Sequence, residues 1–344
     1  MSGGGAERVL TQIADNLSKD NEVVLVAAYK TENEYFRSQQ VKTIYIDDGI
    51  NNKHSIRQIY RLRKIVKNEN ADICLSFLPQ PNFKMILASL GINAKVVVSV
   101  RNDPKMEYAS LFSRILSKLL YPLADGIVFQ TQEAKAWFPK KIQDKSAIIM
   151  NQVDEIFFNT SRLSEDYWVA TGRLTQQKNY PLMIKAFKKL VLNYPDEVLH
   201  IYGEGEKQEE IEKLIEELQL SNNVFLMGST DNVVEVLRHA KCFLLSSDYE
   251  GMPNGLLEAM AVGLPSIATD CPCGGPREII KTGENGILIG VGKVEELYEG
   301  MKLIVENTDI RNKFSLNASK TSRVYRSKEV FNKWEQFFSK IRGR

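Results

Sequence analysis

The chain has 344 residues, more than one hydrophobic core holds comfortably and enough for two domains. Its 43% hydrophobic and 26% charged residues are ordinary for a globular protein and exclude a disordered or fibrous chain. A formal net charge of +2 masks an excess of Lys and Arg in residues 1–155, while three histidines and four cysteines, with Cys271 and Cys273 flanking a proline, form no metal-ligand pattern.

In chain order, Gly3-Gly-Gly-Ala-Glu-Arg-Val-Leu reads as a glycine loop entering a helix whose apolar face is Val9, Leu10, Ile13 and Leu17. In a Rossmann-like half such a loop follows the first, central strand; here only Met1 and Ser2 precede it, so that strand is expected to be absent. Short β-rich runs follow at 23–28, 41–46, 73–77, 96–100, 127–130 and 147–150, alternating with helical patterns. Such alternation specifies a parallel sheet covered by helices.

Two surface features lie within this half. Lys53, Arg57, Arg61, Arg63, Lys64 and Lys67 occur without an intervening acid, and Tyr108, Leu111, Phe112, Ile115, Leu116 and Leu119 form an apolar helical stripe beside Arg114 and Lys118. A charge run is usually a solvated face and an apolar stripe usually core; together they are also what an anionic membrane surface would hold. Nucleic-acid binding has no support beyond the basic run. No apolar run reaches the roughly 20 residues of a membrane span, and no charged-then-apolar leader opens the chain, so a cytoplasmic protein is expected.

A polar stretch at 151–164 interrupts the pattern, and a second strand series follows at 168–171, 199–202, 224–227, 242–245, 266–268 and 286–289. The expected domains are therefore 1–155 and 156–325, with an amphipathic helix in 326–344 carrying Val330, Phe331, Trp334, Phe337 and Phe338. That helix either returns to brace the first domain or buries its aromatic stripe in the second.

The chemistry gathers in the second series. Glu250-Gly-Met-Pro-Asn-Gly-Leu-Leu-Glu258 joins a buried strand to an apolar helix, so unpaired N–H groups and the positive helix end face a docking anion. A diphosphate fits, with Glu250 directed at a sugar and Glu258 at ribose hydroxyls; a solvated helix end would carry two glutamates as well. Gly172-Arg173 and Lys178 follow the first strand of this half, where a guanidinium fork and an ammonium can neutralise a nucleoside diphosphate. Tyr202-Gly203-Glu-Gly205 ends the next strand.

The series Gly172-Arg-Leu with Lys178-Asn, Ile201-Tyr-Gly-Glu-Gly, Phe225-Leu-Met-Gly228, Ser247 to Pro265 and Asn285-Gly-Ile-Leu resembles the family 4 glycosyltransferases in order and spacing. The start at Gly3 and the loop Ser99-Val-Arg-Asn-Asp-Pro104 are similar to that family's N-terminal half, so the resemblance covers nearly the whole chain. It implies the GT-B fold, two Rossmann-like doubly wound α/β domains facing a cleft, and retaining transfer of a sugar from a nucleoside diphosphate, most naturally UDP-linked, to an acceptor hydroxyl.

By that resemblance Arg173, Lys178 and Glu250 are the catalytic residues. The donor is held by Gly172, Gly203, Gly228, Gly251, Met252, Pro253, Asn254, Gly255, Leu257 and Glu258, with Gly228 near the base and Leu257 beside the nucleotide. Gly4, Gly5, Arg101, Asn102 and Asp103 face the acceptor or cleft; Asp103 reads equally as a helix cap before Pro104. Many relatives carry a histidine where Arg101 or Asn102 stands. No metal and no cofactor are expected, the chain lacking an Asp-x-Asp triplet. The implied acceptor is a saccharide or polyprenyl-linked glycan, with peripheral contact to the inner membrane face. The rival readings are a nucleotide-sugar epimerase and a non-catalytic, sugar-nucleotide-binding partner of a sister enzyme.

Overall fold

In the computed structural model, residues 4–29, 38–46 and 55–343 are described. They fall into two compact units, one built from residues up to 152 together with 328–344, the other from 153–327.

The first unit opens with helix α1 (Gly5–Leu17), where Glu7 accepts a hydrogen bond from the Gly4 N–H and so satisfies one of the orphan donors at the helix start. Strands β1 (Val23–Ala27) and β2 (Val41–Tyr45) pair in parallel as a separate ribbon. Strands β3 (Ile73–Phe77), β4 (Lys95–Ser99), β5 (Gly126–Phe129) and β6 (Ser146–Ile148) form a second parallel sheet in that order. β1 and β3 are not paired with each other, and no strand precedes α1 among the described residues. The expected single sheet of this half is thus divided at the place where its central strand would run.

Helix α1 spans the division. Its Ala14 packs with Leu25 and Val41 of the ribbon, whereas Val9 and Ile13 pack with Phe77, Val97 and Val128 of the larger sheet. The C-terminal helix Ser327–Arg342 completes that second cluster through Val330, Trp334, Phe337, Phe338 and Ile341. Gly126 is the seat for this helix, because a Cβ there would stand 2.8 Å from the Phe337 ring. Helices α2 (Ser55–Asn68), α3 (Pro79–Ser89), α4 (Pro104–Glu107) and α5 (Leu111–Leu120) complete the elements needed below, α3 packing against both α2 and α5.

The second unit has one continuous parallel sheet. Strands β7 (Tyr167–Thr171), β8 (Leu199–Tyr202), β9 (Val224–Leu226), β10 (Ala240–Leu245), β11 (Ser266–Thr269) and β12 (Ile287–Ile289) lie in the order β12-β11-β10-β7-β8-β9. Chain order runs outward from β7 through β8 to β9 and outward from β10 through β11 to β12. The β7/β10 boundary is therefore the topological switch point, and ligands of open α/β sheets bind beyond the strand ends there. All twelve strands start or end within two residues of the ranges read from the β-branched runs.

Candidate active site

The loops leaving β7 and β10 meet at this switch point and are tied together by side-chain hydrogen bonds. Lys178 Nζ donates to Glu250 Oε1 at 2.6 Å, and Ser247 Oγ donates to the same oxygen at 2.8 Å. Ser246 Oγ donates to the Lys178 carbonyl, Asn179 Nδ2 to Asp248 Oδ1 and Gln177 Nε2 to the Tyr249 carbonyl. Glu250 is buried, 6% exposed, and the ammonium and the hydroxyl are the partners that a buried carboxyl group requires. Its backbone N–H is held by the Pro272 carbonyl at 2.9 Å.

Three glycines line up at the ends of β7, β8 and β9. Gly203 N–H donates to the Gly228 carbonyl at 2.8 Å, and a Cβ on Gly203 would lie 2.0 Å from the Gly172 carbonyl oxygen. With φ at +146° in Gly203 and +151° in Gly172, no other residue is comfortable at either place. Tyr180 Oη fixes the Gly172 carbonyl at 2.9 Å. Gly228, at φ +70°, has nothing within 4 Å of a would-be Cβ and borders open space.

The helix Asn254–Ala261 begins directly over β7, since a Cβ on Gly255 would meet Thr171 Oγ1 at 2.5 Å. Gly251 is overlain in turn by Gly275, where a Cβ would come within 1.8 Å of the Gly251 carbonyl oxygen. The helix end and the strand ends are thus brought together by missing side chains. Met252 and Pro253 are buried in the connecting loop, and Glu258 is 6% exposed on the first turns of the helix. Arg173 is exposed, and no hydrogen bond or ion pair engages its side chain among the described residues. Leu257 is 0% exposed: its side chain is core, which corrects the expectation that it packs beside a nucleotide.

In the first unit the loop after β4 makes a second polar cluster. The Arg101 guanidinium lies 4.4 Å from the Phe77 ring centroid and donates to Asn151 Oδ1 and Ser99 Oγ. Burial lowers its pKa to about 9, opposed by the charge of Glu107. Asp103 caps α4 by accepting from the Lys105 N–H at 2.9 Å, and Asn102 Oδ1 accepts from the Asp103 N–H. Of its two readings, Asp103 takes the cap. Gly4 and Gly5 sit at the start of α1, while Gly3, like Lys53 of the basic run, lies outside the described residues.

Glu107 escaped the sequence reading. Burial pushes its carboxyl up to about 8, while the backbone of Arg101 and Asn102 and the Arg101 charge pull it down. A glutamate in the short helix after Pro104 has no sequence mark of this; the nearby Asn151 and Gln130, which share the Arg101 network, arrive from other strands. The four cysteines are free and buried, as expected of structural thiols.

A family profile described as "Glycosyl transferases group 1" matches residues 152–321, and one described as "Glycosyltransferase Family 4" matches residues 3–155. An uncharacterized glycosyltransferase of Methanocaldococcus jannaschii is 33% identical over 251 residues, 65% of this chain and 62% of that protein, so the match spans less than two thirds of its length. A Campylobacter jejuni enzyme named as a GalNAc-alpha-(1->4)-GalNAc-alpha-(1->3)-diNAcBac-PP-undecaprenol alpha-1,4-N-acetyl-D-galactosaminyltransferase is 24% identical over 100% of this chain and 97% of its own. The structure of HepE from Anabaena with UDP and glucose superposes with a TM-score of 0.80 at 16% identity, covering 98% of this chain and 96% of HepE. With the group 1 and family 4 profiles together spanning residues 3–321 and the fold shared with a GT-B structure, the chain belongs to the family 4 glycosyltransferases.

Proposed function

We propose that this protein transfers a sugar from a UDP-sugar to a hydroxyl of a lipid-linked glycan during surface polysaccharide assembly, with retention at the anomeric carbon. The observation that carries the reading is the β7/β10 switch point, where three glycine-ended strands, a helix N-terminus and the Lys178–Glu250 pair converge. Glycines admit a ligand backbone-close, and the helix start with Arg173 supplies fixed positive charge where a diphosphate leaves. HepE with bound UDP and glucose supports the donor class. The undecaprenyl diphosphate in the name of the Campylobacter relative supports the acceptor class.

In this reading the anomeric C–O bond to the β-phosphate breaks and the acceptor oxygen bonds to the same carbon from the same face. The acceptor proton passes to the departing phosphate oxygen. The protein's share is positioning and charge stabilisation: Arg173, Lys178 and the N–H groups from Gly251 to Gly255 receive the diphosphate, Glu250 meets the sugar and Glu258 the ribose. Gly172, Gly203 and Gly228 leave room for phosphate and base. The loop Arg101 to Asp103 serves the acceptor side, and the reaction runs without a metal.

Calorimetric titration with UDP followed by transfer from labelled UDP-sugars in EDTA tests this. The expected result is UDP binding lost in Glu258→Ala, and an α-linked product from an α-linked donor by NMR. Absence of binding to any nucleoside diphosphate overturns it.

A further inference from the structure

The helix Asn254–Ala261 starts at the switch point and ends, about 12 Å away at 1.5 Å per residue, at a hollow that the proposed transfer does not use. The hollow measures about 410 Å³, near the lower end of the roughly 300–1,000 Å³ typical of small-molecule sites. Its walls are the segment 160–162, the turn at Val262 and Gly263, and the helix Thr308–Thr321 with the 3-10 turn Ser322–Tyr325 that follows it. Ser315 and Ser319, one turn apart, hollow the helix face with small side chains, and Lys320 and Arg323 stand at its C-terminal end. Gly263 closes the frame: at φ +81° a Cβ there would stand 3.3 Å from the Ser315 carbonyl oxygen, and Ser315 Oγ donates to the Gly263 carbonyl at 2.7 Å.

The lining is cationic and hydroxylated, and among the described residues no carboxylate borders it. Arg162 is held in place, its Nη2 donating to the Ala240 carbonyl at 3.0 Å and to Glu165 Oε1 at 3.1 Å, its Nη1 reaching Ser315 Oγ at 3.4 Å. Glu165 does not neutralise the group, because it is shared with Arg311 at 2.9 Å. Lys320 and Arg323 are exposed, and no hydrogen bond or ion pair engages their side chains among the described residues. The same holds for the hydroxyls of Ser161 and Ser319. A helix end favours a cation in its last turn, which accounts for Lys320 alone. Arg162 and Arg323 come from two other segments, and three like charges around one hollow repel until an anion joins them. Leu316, 74% exposed, adds one apolar surface at the rim.

We infer that this hollow binds a sugar phosphate, the phosphate among Arg162, Lys320 and Arg323, the ring hydroxyls on Ser161 and Ser319, and the apolar edge of the ring on Leu316. The hollow alone carries this inference, independently of the transfer reaction. Calorimetric titration of the full chain with glucose 6-phosphate, and separately with glucose and with inorganic phosphate, tests it. Glucose 6-phosphate is expected to bind one-to-one and at least about tenfold tighter than either fragment, since both halves of the lining are then used. Lys320→Gln with Arg323→Gln weakens it about a hundredfold, at about tenfold per charge-assisted hydrogen bond, with an unchanged melting curve. Should that curve shift, Ser161→Glu decides: at an exposed position it sets a carboxylate against the phosphate and is expected to abolish binding. Arg173→Ala binds glucose 6-phosphate as the parent does, which separates the hollow from the donor site. Absence of binding, inorganic phosphate bound as tightly as glucose 6-phosphate, binding that survives the cleft variants, or binding lost in Arg173→Ala overturns the proposal.

Discussion

The two units handle the same architectural problem differently. In the second, six strands pair in one continuous sheet, and the loops at its switch point carry the Lys178–Glu250 pair. In the first, a two-stranded ribbon and a four-stranded sheet are not joined by a ladder, and α1 with the C-terminal helix holds the pieces by side-chain burial. A backbone ladder fixes positions of main-chain atoms to tenths of an ångström; apolar packing fixes proximity and tolerates more adjustment. The Lys178 and Glu250 loops stand on the six-stranded ladder and the Arg101 loop on the four-stranded one, while the packed joint lies between that smaller sheet and the ribbon.

The largest expected effect breaks the packed unit. Trp334 is 1% exposed and lies between Phe77 and Phe338, at ring distances of 6.1 and 5.6 Å. Trp334→Ala costs about 3–5 kcal/mol, and amide exchange should rise across β1 to β6 while β7 to β12 stay protected. Protection lost equally in both units would erase the contrast drawn above.

Next comes a change that spares both folds and strikes the site. Arg173→Ala, on an exposed side chain, is expected to lower kcat by ~10² with the melting temperature unchanged, the loss typical of one preorganised donor. Lys178→Ala behaves differently, because it also leaves Glu250 buried without its cation. Adding Glu250→Gln should restore the melting temperature without restoring turnover, as steady-state kinetics and calorimetry on the pair of variants would show.

A pH series sharpens the comparison further. Glu107, raised to about 8, holds its proton in the folded state where the unfolded chain has lost it. Between the ordinary glutamate range and about pH 8, stability therefore falls as pH rises, by at most about 1.4 kcal/mol per pH unit, and levels off above. Denaturant midpoints of Glu107→Gln across that window should lie flatter than the parent's; parallel profiles would show the carboxyl ionised throughout. The smallest effect is Gly228→Ala: with open space around it, the left-handed φ alone costs about 1–2 kcal/mol of stability.

Much of the framework was legible because β-branched runs and glycine-ended loops are local features. Val96 to Val98 or Leu199 to Ile201 cannot sit in any other element as easily, and Gly203-Glu-Gly205 announces a close approach. The Lys178–Glu250 pair joins positions 72 apart, so its residue types were readable and their contact was not. Leu257 and Phe112 show the other limit. Both stand on apolar helical patterns, and only the neighbours decide that Leu257 is enclosed while Phe112 faces outward. That one helix bridges two sheets was not legible in the glycine loop that opens it and needed the packing.

The Lys178–Glu250 contact has a further implication for selectivity. An ammonium already neutralised by a resident carboxylate is poor bait for stray monovalent anions, since each must outbid a partner fixed 2.6 Å away. Under the proposed transfer, a ligand that brings several negative oxygens together with a hydroxyl-rich group offers a partner to each half of the pair.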